Sequence, residues 1–288
     1  MILTNRALGL VSSVCLLLAC GGEAPAPAVA ERPSAAVDDG RGGRLFDDWR
    51  HGADEDAAGR TLTFGDGRPL PAEGHDNRLK NLFGWDLRGR AGIYGPDHMN
   101  REFVLDANLL ATTGSASELA DRLERGDAAL PAFGSVLDRE ALESVARFVV
   151  GVRDRALPHP DDLFTLTTPE AGHYALLPGG DAERGAALYA ERCASCHGAD
   201  GTGMLFGGGA YSLGSHARQK AYEDWLKILN GQPGSPMSRQ VRGPTGPEMT
   251  QEILDLFAAL CDRSRFPLGP ASGPDVEDGD ARCGAYLR

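Results

Sequence analysis

Two thiols and an imidazole stand together in Cys193-Ala194-Ser195-Cys196-His197, with Gly198 next. Cysteines three positions apart lie on one side of a helical turn. From there both can reach the vinyl groups along one edge of a porphyrin, while the adjacent imidazole points at the metal in its centre. C-x-x-C-H is for these reasons the attachment pattern of a c-type haem. The C-x-x-C part alone also serves as a thioredoxin-like redox pair or as half of a zinc site that needs two further ligands. Neither use accounts for the histidine.

The elements that position these groups carry a family resemblance. The run from Asp181 to Gly203, DAERGAALYAERCASCHGADGTG, resembles the opening of a class I c-type cytochrome, with Gly185 and Tyr189 four apart on the helix ahead of the attachment site. The resemblance implies a helical domain with one covalent haem c on Cys193 and Cys196. It implies iron held axially by His197, and contact of Gly185 and Tyr189 with a final helix near Leu256 and Phe257. It further implies a loop that brings a methionine thioether to the far face of the iron. Gly231-Gln232-Pro233-Gly234-Ser235-Pro236-Met237 is such a loop, which makes Met237 the sixth ligand. The alternative for Met237 is a gap-filling core methionine, a role ill suited to a position behind prolines and glycines. Met204 lies close to the attachment site for a residue that must cross the ring, and Met249 falls where the next helix begins. His216 is the remaining rival.

The chain opens with Arg6 and an apolar run from Ala7 to Ala19, shorter than the ~20 residues a membrane span requires. This reads as an export signal over residues 1–19. Its end, Leu17-Leu18-Ala19-Cys20, resembles the lipobox of bacterial lipoproteins, which implies acylation of Cys20 as the first mature residue and loss of Cys15. More than one acyl chain anchors a protein stably where one does not. Residues 20–39, rich in Ala, Pro and Gly, suit a flexible tether. The implied location is the bacterial cell envelope, lipid-anchored and facing the periplasm. In a cell with two membranes, the absence of aspartate after Cys20 favours the outer one by resemblance to lipoprotein sorting signals.

Of six cysteines, this leaves Cys261 and Cys283. In an oxidising compartment their natural use is a disulfide, which would staple the Pro- and Gly-rich tail from Phe266 to Ala281 to the end of the last helix. Two free thiols, one of them an iron ligand, is the rival. The formal net charge of −12 becomes one unit more acidic when Arg6 leaves with the signal. That balance argues against nucleic acid and suits redox partner proteins with a basic docking patch, whose encounter it would accelerate.

Residues 40–152 repeat the landmarks of residues 181–288. Gly42-Gly43-Arg44-Leu45-Phe46 echoes Gly185-Ala186-Ala187-Leu188-Tyr189, and each region ends in a helix with an apolar stripe. The first is capped by Asp138 ahead of Leu142, Val145, Ala146 and Val149, the second by Thr250 ahead of Ile253, Leu256, Phe257 and Leu260. Between these landmarks Leu79-Lys80-Asn81-Leu82-Phe83-Gly84-Trp85-Asp86 looks like C-x-x-C-H-G-W-D with Leu79, Leu82 and Phe83 in place of the thiols and imidazole. The run resembles the first domain of envelope di-haem cytochromes, and Gly89 completes their G-W-D-x-x-G. Leu130 stands where the axial methionine would be. Apolar replacements would help to refill the space of a lost haem, since the cost of a cavity grows with its volume. The other reading is an amphipathic segment of an unrelated small helical domain.

An insertion from Trp49 to Arg78 holds His51 and His75. These, with His98, Met99, His159 and His173, receive no role. Residues 153–180, with four prolines and no sustained period, read as a wrapped connector.

The expected fold is mainly α, with two cytochrome c-like helical domains and haem only in the C-terminal one. The expected function is one-electron transfer by a membrane-tethered monohaem cytochrome, which is not an enzyme. Two alternatives stand beside it: a haem enzyme or ligand sensor with an open sixth position, and an N-terminal docking module that recruits a redox partner.

Overall fold

In the computed structural model, residues 40–52, 62–70, 78–94, 103–167 and 174–288 are described. The signal segment, Cys20, the tether, His75, His98, Met99, His173 and the side chain of His51 lie outside the described residues. Helices dominate, in chain order α1 (Arg41–Asp47), α2 (Trp49–Gly52), α3 (Leu79–Phe83), α4 (Ala116–Arg125), α5 (Arg139–Arg153), α6 (Ala182–Arg192), α7 (Ala194–His197), α8 (Leu213–Asn230) and α9 (Gly246–Leu260). None of these is long and apolar enough to cross a membrane.

Most boundaries have a local cause. The Asp138 carboxylate accepts the Ala141 amide at 2.7 Å and so caps α5, whose Leu142, Val145, Ala146 and Val149 are buried. Asp181 likewise accepts the amides of Glu183 and Arg184 to start α6. The final helix begins earlier than its apolar stripe indicates. Thr245, not Thr250, is the cap of α9, accepting from the Glu248 amide, with Pro247 in the first turn. Thr250 lies inside the helix, its hydroxyl donating to the Gly246 carbonyl at 2.8 Å. Its apolar followers define a buried face; only the Thr-x-x-Glu pattern upstream defines the start.

In each half an early helix crosses the last one at a glycine. A Cβ on Gly42 of α1 would lie 2.1 Å from the Ser144 carbonyl oxygen of α5, and one on Gly185 of α6 would lie 1.8 Å from that of Asp255 on α9. No larger residue permits either approach. Arg184 fastens the second crossing, with Nη2 2.8 Å from Asp255 Oδ1. A second motif recurs as well: α3 ends at Gly84 with φ 75° and ψ 158°, and α7 ends at Gly198 with φ 81° and ψ 163°.

The halves share one buried apolar cluster. The Arg44 guanidinium donates to the Asn230 carbonyl at 2.9 Å, and Lys227 of α8 pairs with Asp47 of α1. The connector is more ordered than its composition indicates, since β1 (Phe164–Leu166) and β2 (Tyr174–Leu176) pair antiparallel with Thr165 opposite Ala175. Strands of three residues are too short to display an alternation. Buried Tyr174 also explains a kink in α8: where Lys220 leaves helical geometry (φ −140°), the Ala221 amide donates to the Tyr174 hydroxyl at 2.8 Å.

Cys261 and Cys283 are joined, closing a loop with a sequence separation of 22 residues. A loop of that size corresponds to about 3 kcal/mol in the chain-entropy account. The tail has a second fastening, absent from the sequence reading. Fully buried Arg218 donates to the carbonyls of Leu260 and Phe266 at 2.9 and 2.8 Å, and to Asp275 at 2.7 Å.

Asp86 sets a pH dependence. It is fully buried, one carboxylate oxygen accepting the Ile93 amide at 2.8 Å and the other without a hydrogen-bond partner. Burial pushes its carboxyl from 3.8 up to about 6, against the pull of the Ile93 amide. The native chain therefore holds a proton there that the unfolded chain has released, so this contribution is full below pH 3.8 and is lost as pH rises through about 6. The expected loss is roughly 3 kcal/mol. Asp86→Asn should flatten that part of a urea-denaturation profile between those pH values, and an unchanged slope would rule Asp86 out as its source.

Candidate functional site

Cys193 sits at the junction of α6 and α7, its amide donating to the Tyr189 carbonyl at 2.8 Å while its own carbonyl accepts the amides of Cys196 and His197 at 3.1 and 2.9 Å. One turn of helix thus carries both thiols and the imidazole, with left-handed Gly198 closing it. The Gly203 amide donates back to the His197 carbonyl at 2.8 Å, and the Tyr189 hydroxyl to that of Gly198 at 2.6 Å. Tyr189 itself packs edge-on against Phe266, with ring centres 4.6 Å apart.

Cys193, Cys196 and His197 face a cavity of about 590 Å³, within the usual size of a small-molecule or cofactor site. Both thiols are free. Burial pushes the Cys193 thiol up to about 11. Burial also lowers the His197 imidazole, against an opposing pull from Asp224. His197 Nδ1 is buried without a hydrogen-bond partner. A neutral imidazole beside two free thiols on a mostly apolar cavity is the donor set a covalently attached haem requires. Among the described residues no group of three or more His, Cys, Asp or Glu side chains could hold a metal ion, so the half-site reading for zinc finds no further ligands there.

Met237 reaches the same cavity from the loop after α8 and is half-buried. Its carbonyl accepts the Gln232 amide at 3.0 Å, and its amide donates to the Ser235 hydroxyl at 3.2 Å. Met204 lies on the cavity wall too, 47 % exposed, despite its closeness in sequence to the attachment site. Met249 is buried in α9. His216 also lines the cavity, but its ring nitrogens face acids, with Nδ1 2.9 Å from Asp224 and Nε2 3.9 Å from Glu223. Burial alone would lower this imidazole; Asp224 holds it above its ordinary value. Phe206 stands between the two histidines, 5.8 Å from His197 and 5.7 Å from His216 between ring centres.

In the other half, Leu79, Leu82, Phe83 and Leu130 are buried, and Phe83 packs against Phe46 and Phe133 at 6.4 and 6.2 Å between ring centres. Two residues of this half escape the sequence reading: Lys80 and Trp85 line the C-terminal cavity. A lysine between two buried leucines was the available indication.

Residues 182–257 match the Cytochrome c family. The chain therefore carries a cytochrome c domain in its C-terminal region, and such a domain implies a covalently bound c-type haem. The match supports a haem-binding, electron-transfer protein. Comparison with curated proteins finds no match. Among solved structures the chain is similar to the thiosulfate dehydrogenase TsdBA from Marichromatium purpuratum, as isolated, at 18% identity and a TM-score of 0.24, covering 87% of this chain and 57% of that one. The chain thus spans little more than half of that protein's length, and a superposition at this score defines neither a shared fold nor a shared activity.

Proposed function

We propose that this chain is a monohaem c-type cytochrome that carries single electrons in a bacterial envelope, tethered by lipid on Cys20. The observation that carries the reading is the single helical turn presenting Cys193, Cys196 and His197 to a cavity that Met237 reaches from a separate loop. Cys193 and Cys196 would hold the haem covalently, and a haem so held would supply a one-electron couple. His197, kept neutral by burial, offers a lone pair, and Met237 offers its thioether. His216 is the poorer donor, because its Nδ1 is already taken up by Asp224 at 2.9 Å and its Nε2 faces Glu223 at 3.9 Å. Cys261 and Cys283, as a disulfide, fit an oxidising compartment.

The N-terminal half, residues 40–152, is read as a haemless relative of the C-terminal domain, 181–288, across a connector at 153–180. The recurring glycine crossings and the matching Gly84 and Gly198 turns support this reading, under which the Phe46–Phe83–Phe133 packing fills the space of a lost haem. Its partners would be redox proteins with a basic docking patch, met at the outer membrane where there are two.

A second reading, a haem enzyme or ligand sensor with an open sixth position, is favoured by the His216–Asp224 pair in the same cavity. Protein matured in a host with haem-attachment machinery separates the possibilities. Denatured haem spectra with intact mass should give one covalent haem per chain, and zero would overturn the central assignment. The reduced protein should bind carbon monoxide only slowly, because Met237 must first leave. Rapid binding by the folded protein would favour the open site.

A further inference from the structure

Two lysines line the cavity, one from each half of the chain. Lys80 stands on α3, inside the segment that resembles a lost attachment motif, with its side chain 10% exposed. Lys227 stands on α8, 18% exposed. Both reach the buried Asp47, each taking one of its carboxylate oxygens. Both also lie over Trp85, at 3.8 and 5.3 Å from its ring centre, an arrangement that favours a cation.

The charges do not balance. Two cations share one buried carboxylate, and the other acid that attracts Lys80, Glu223, is itself shared with Lys220 at 3.8 Å and His216 Nε2 at 3.9 Å. An uncompensated charge in so buried a wall is costly. Burial accordingly pushes the Lys80 amine down to about 8, although Asp47 pulls it back. Core filling does not explain the residue either, because its neighbours Leu79 and Leu82 already fill that role. What Lys80, Trp85 and Lys227 have in common is the cavity they line. The occupant assigned to it above is a porphyrin, which carries two carboxylates.

We propose that Lys80 and Lys227 oppose the carboxylates of the haem, so that the haemless half forms one wall of the haem pocket and helps to set its reduction potential. Trp85 and Asp47 act as positioning residues, holding the two amines at the wall. The inference rests on the haem reading of the cavity. A fixed positive charge beside a redox centre favours the state with the extra electron, and in a pocket of low polarity that bias is large.

The test is the reduction potential of the full, haem-loaded chain. Lys80→Gln should shift the equilibrium toward the oxidised form by about tenfold, which for a one-electron couple is ~59 mV. Lys227→Gln should move it the same way, Lys80→Arg should restore it, and Arg125→Gln, on the exposed face of α4, should leave it in place. A Lys80→Gln potential equal to that of the parent overturns the proposal. If that variant does not accumulate, an unchanged Lys227→Gln potential does so instead. A chain that matures without any haem defeats the underlying reading before a potential can be measured, so the two failures remain distinct.

Discussion

Replacing Cys193 and Cys196 together by serine is expected to yield a mature chain with no covalently attached haem, a complete loss readable by haem-stained gel and intact mass. Serine keeps the size and the helical turn but has no sulfur with which to make a thioether. The thiols contribute little to the fold, Cys193 being half-buried and Cys196 exposed. The consequences for stability should come through the cavity. A space of about 590 Å³ lies between the attachment turn, α8, α9 and the Met237 loop, and the cost of leaving such a space unfilled rises with its volume. Binding to the native state alone adds to stability, so the double variant should unfold at a clearly lower temperature than the loaded parent. Full haem incorporation in the double variant would sink the assignment of these cysteines.

Phe83→Ala should be the most damaging single truncation in the N-terminal half, costing about 3–5 kcal/mol in urea denaturation. Its ring is fully buried and packs between those of Phe46 and Phe133. Leu79 and Leu82 close the same core from one turn of α3. If this packing replaces a haem, the ring occupies volume that no neighbour can refill, and truncation opens a large void. The haem content should stay at the parental value, because the attachment turn belongs to the other half. A cost below about 1 kcal/mol would mean that Phe83 is not a core element, and the refilled-pocket reading would lose its main support.

These two predictions differ in how far the sequence alone could carry them. The attachment turn is legible because its chemistry is local: two thiols and an imidazole within five residues need only one helical turn to converge. The cap of α5 is legible for the same reason, since Asp138 and the amide it accepts lie within three residues. The start of α9 is not legible in this way, because Thr250 opens the apolar stripe while Thr245, with Pro247 and Glu248 behind it, opens the helix. Pattern reports burial there, and burial begins later than hydrogen bonding does.

The sequence by itself thus determined the mainly helical fold, the C-x-x-C-H turn with its free thiols, and the approach of Gly185 to the final helix. Each follows from residue type and short spacing. Only the tertiary structure decided which groups share the cavity. Met204 and Met237 both reach it and Met249 does not. His216 is taken up by Asp224 and Glu223, and Arg218 holds a tail that lies beyond the last helix. Lys80 and Trp85 join the wall from the opposite half of the chain. The physical reason is that a buried charge is stable only with a partner, and the chain can supply that partner from any distance in sequence. No local pattern records the pairing of Lys80 and Lys227 on Asp47; the packing of α1 and α3 beside α8 creates it.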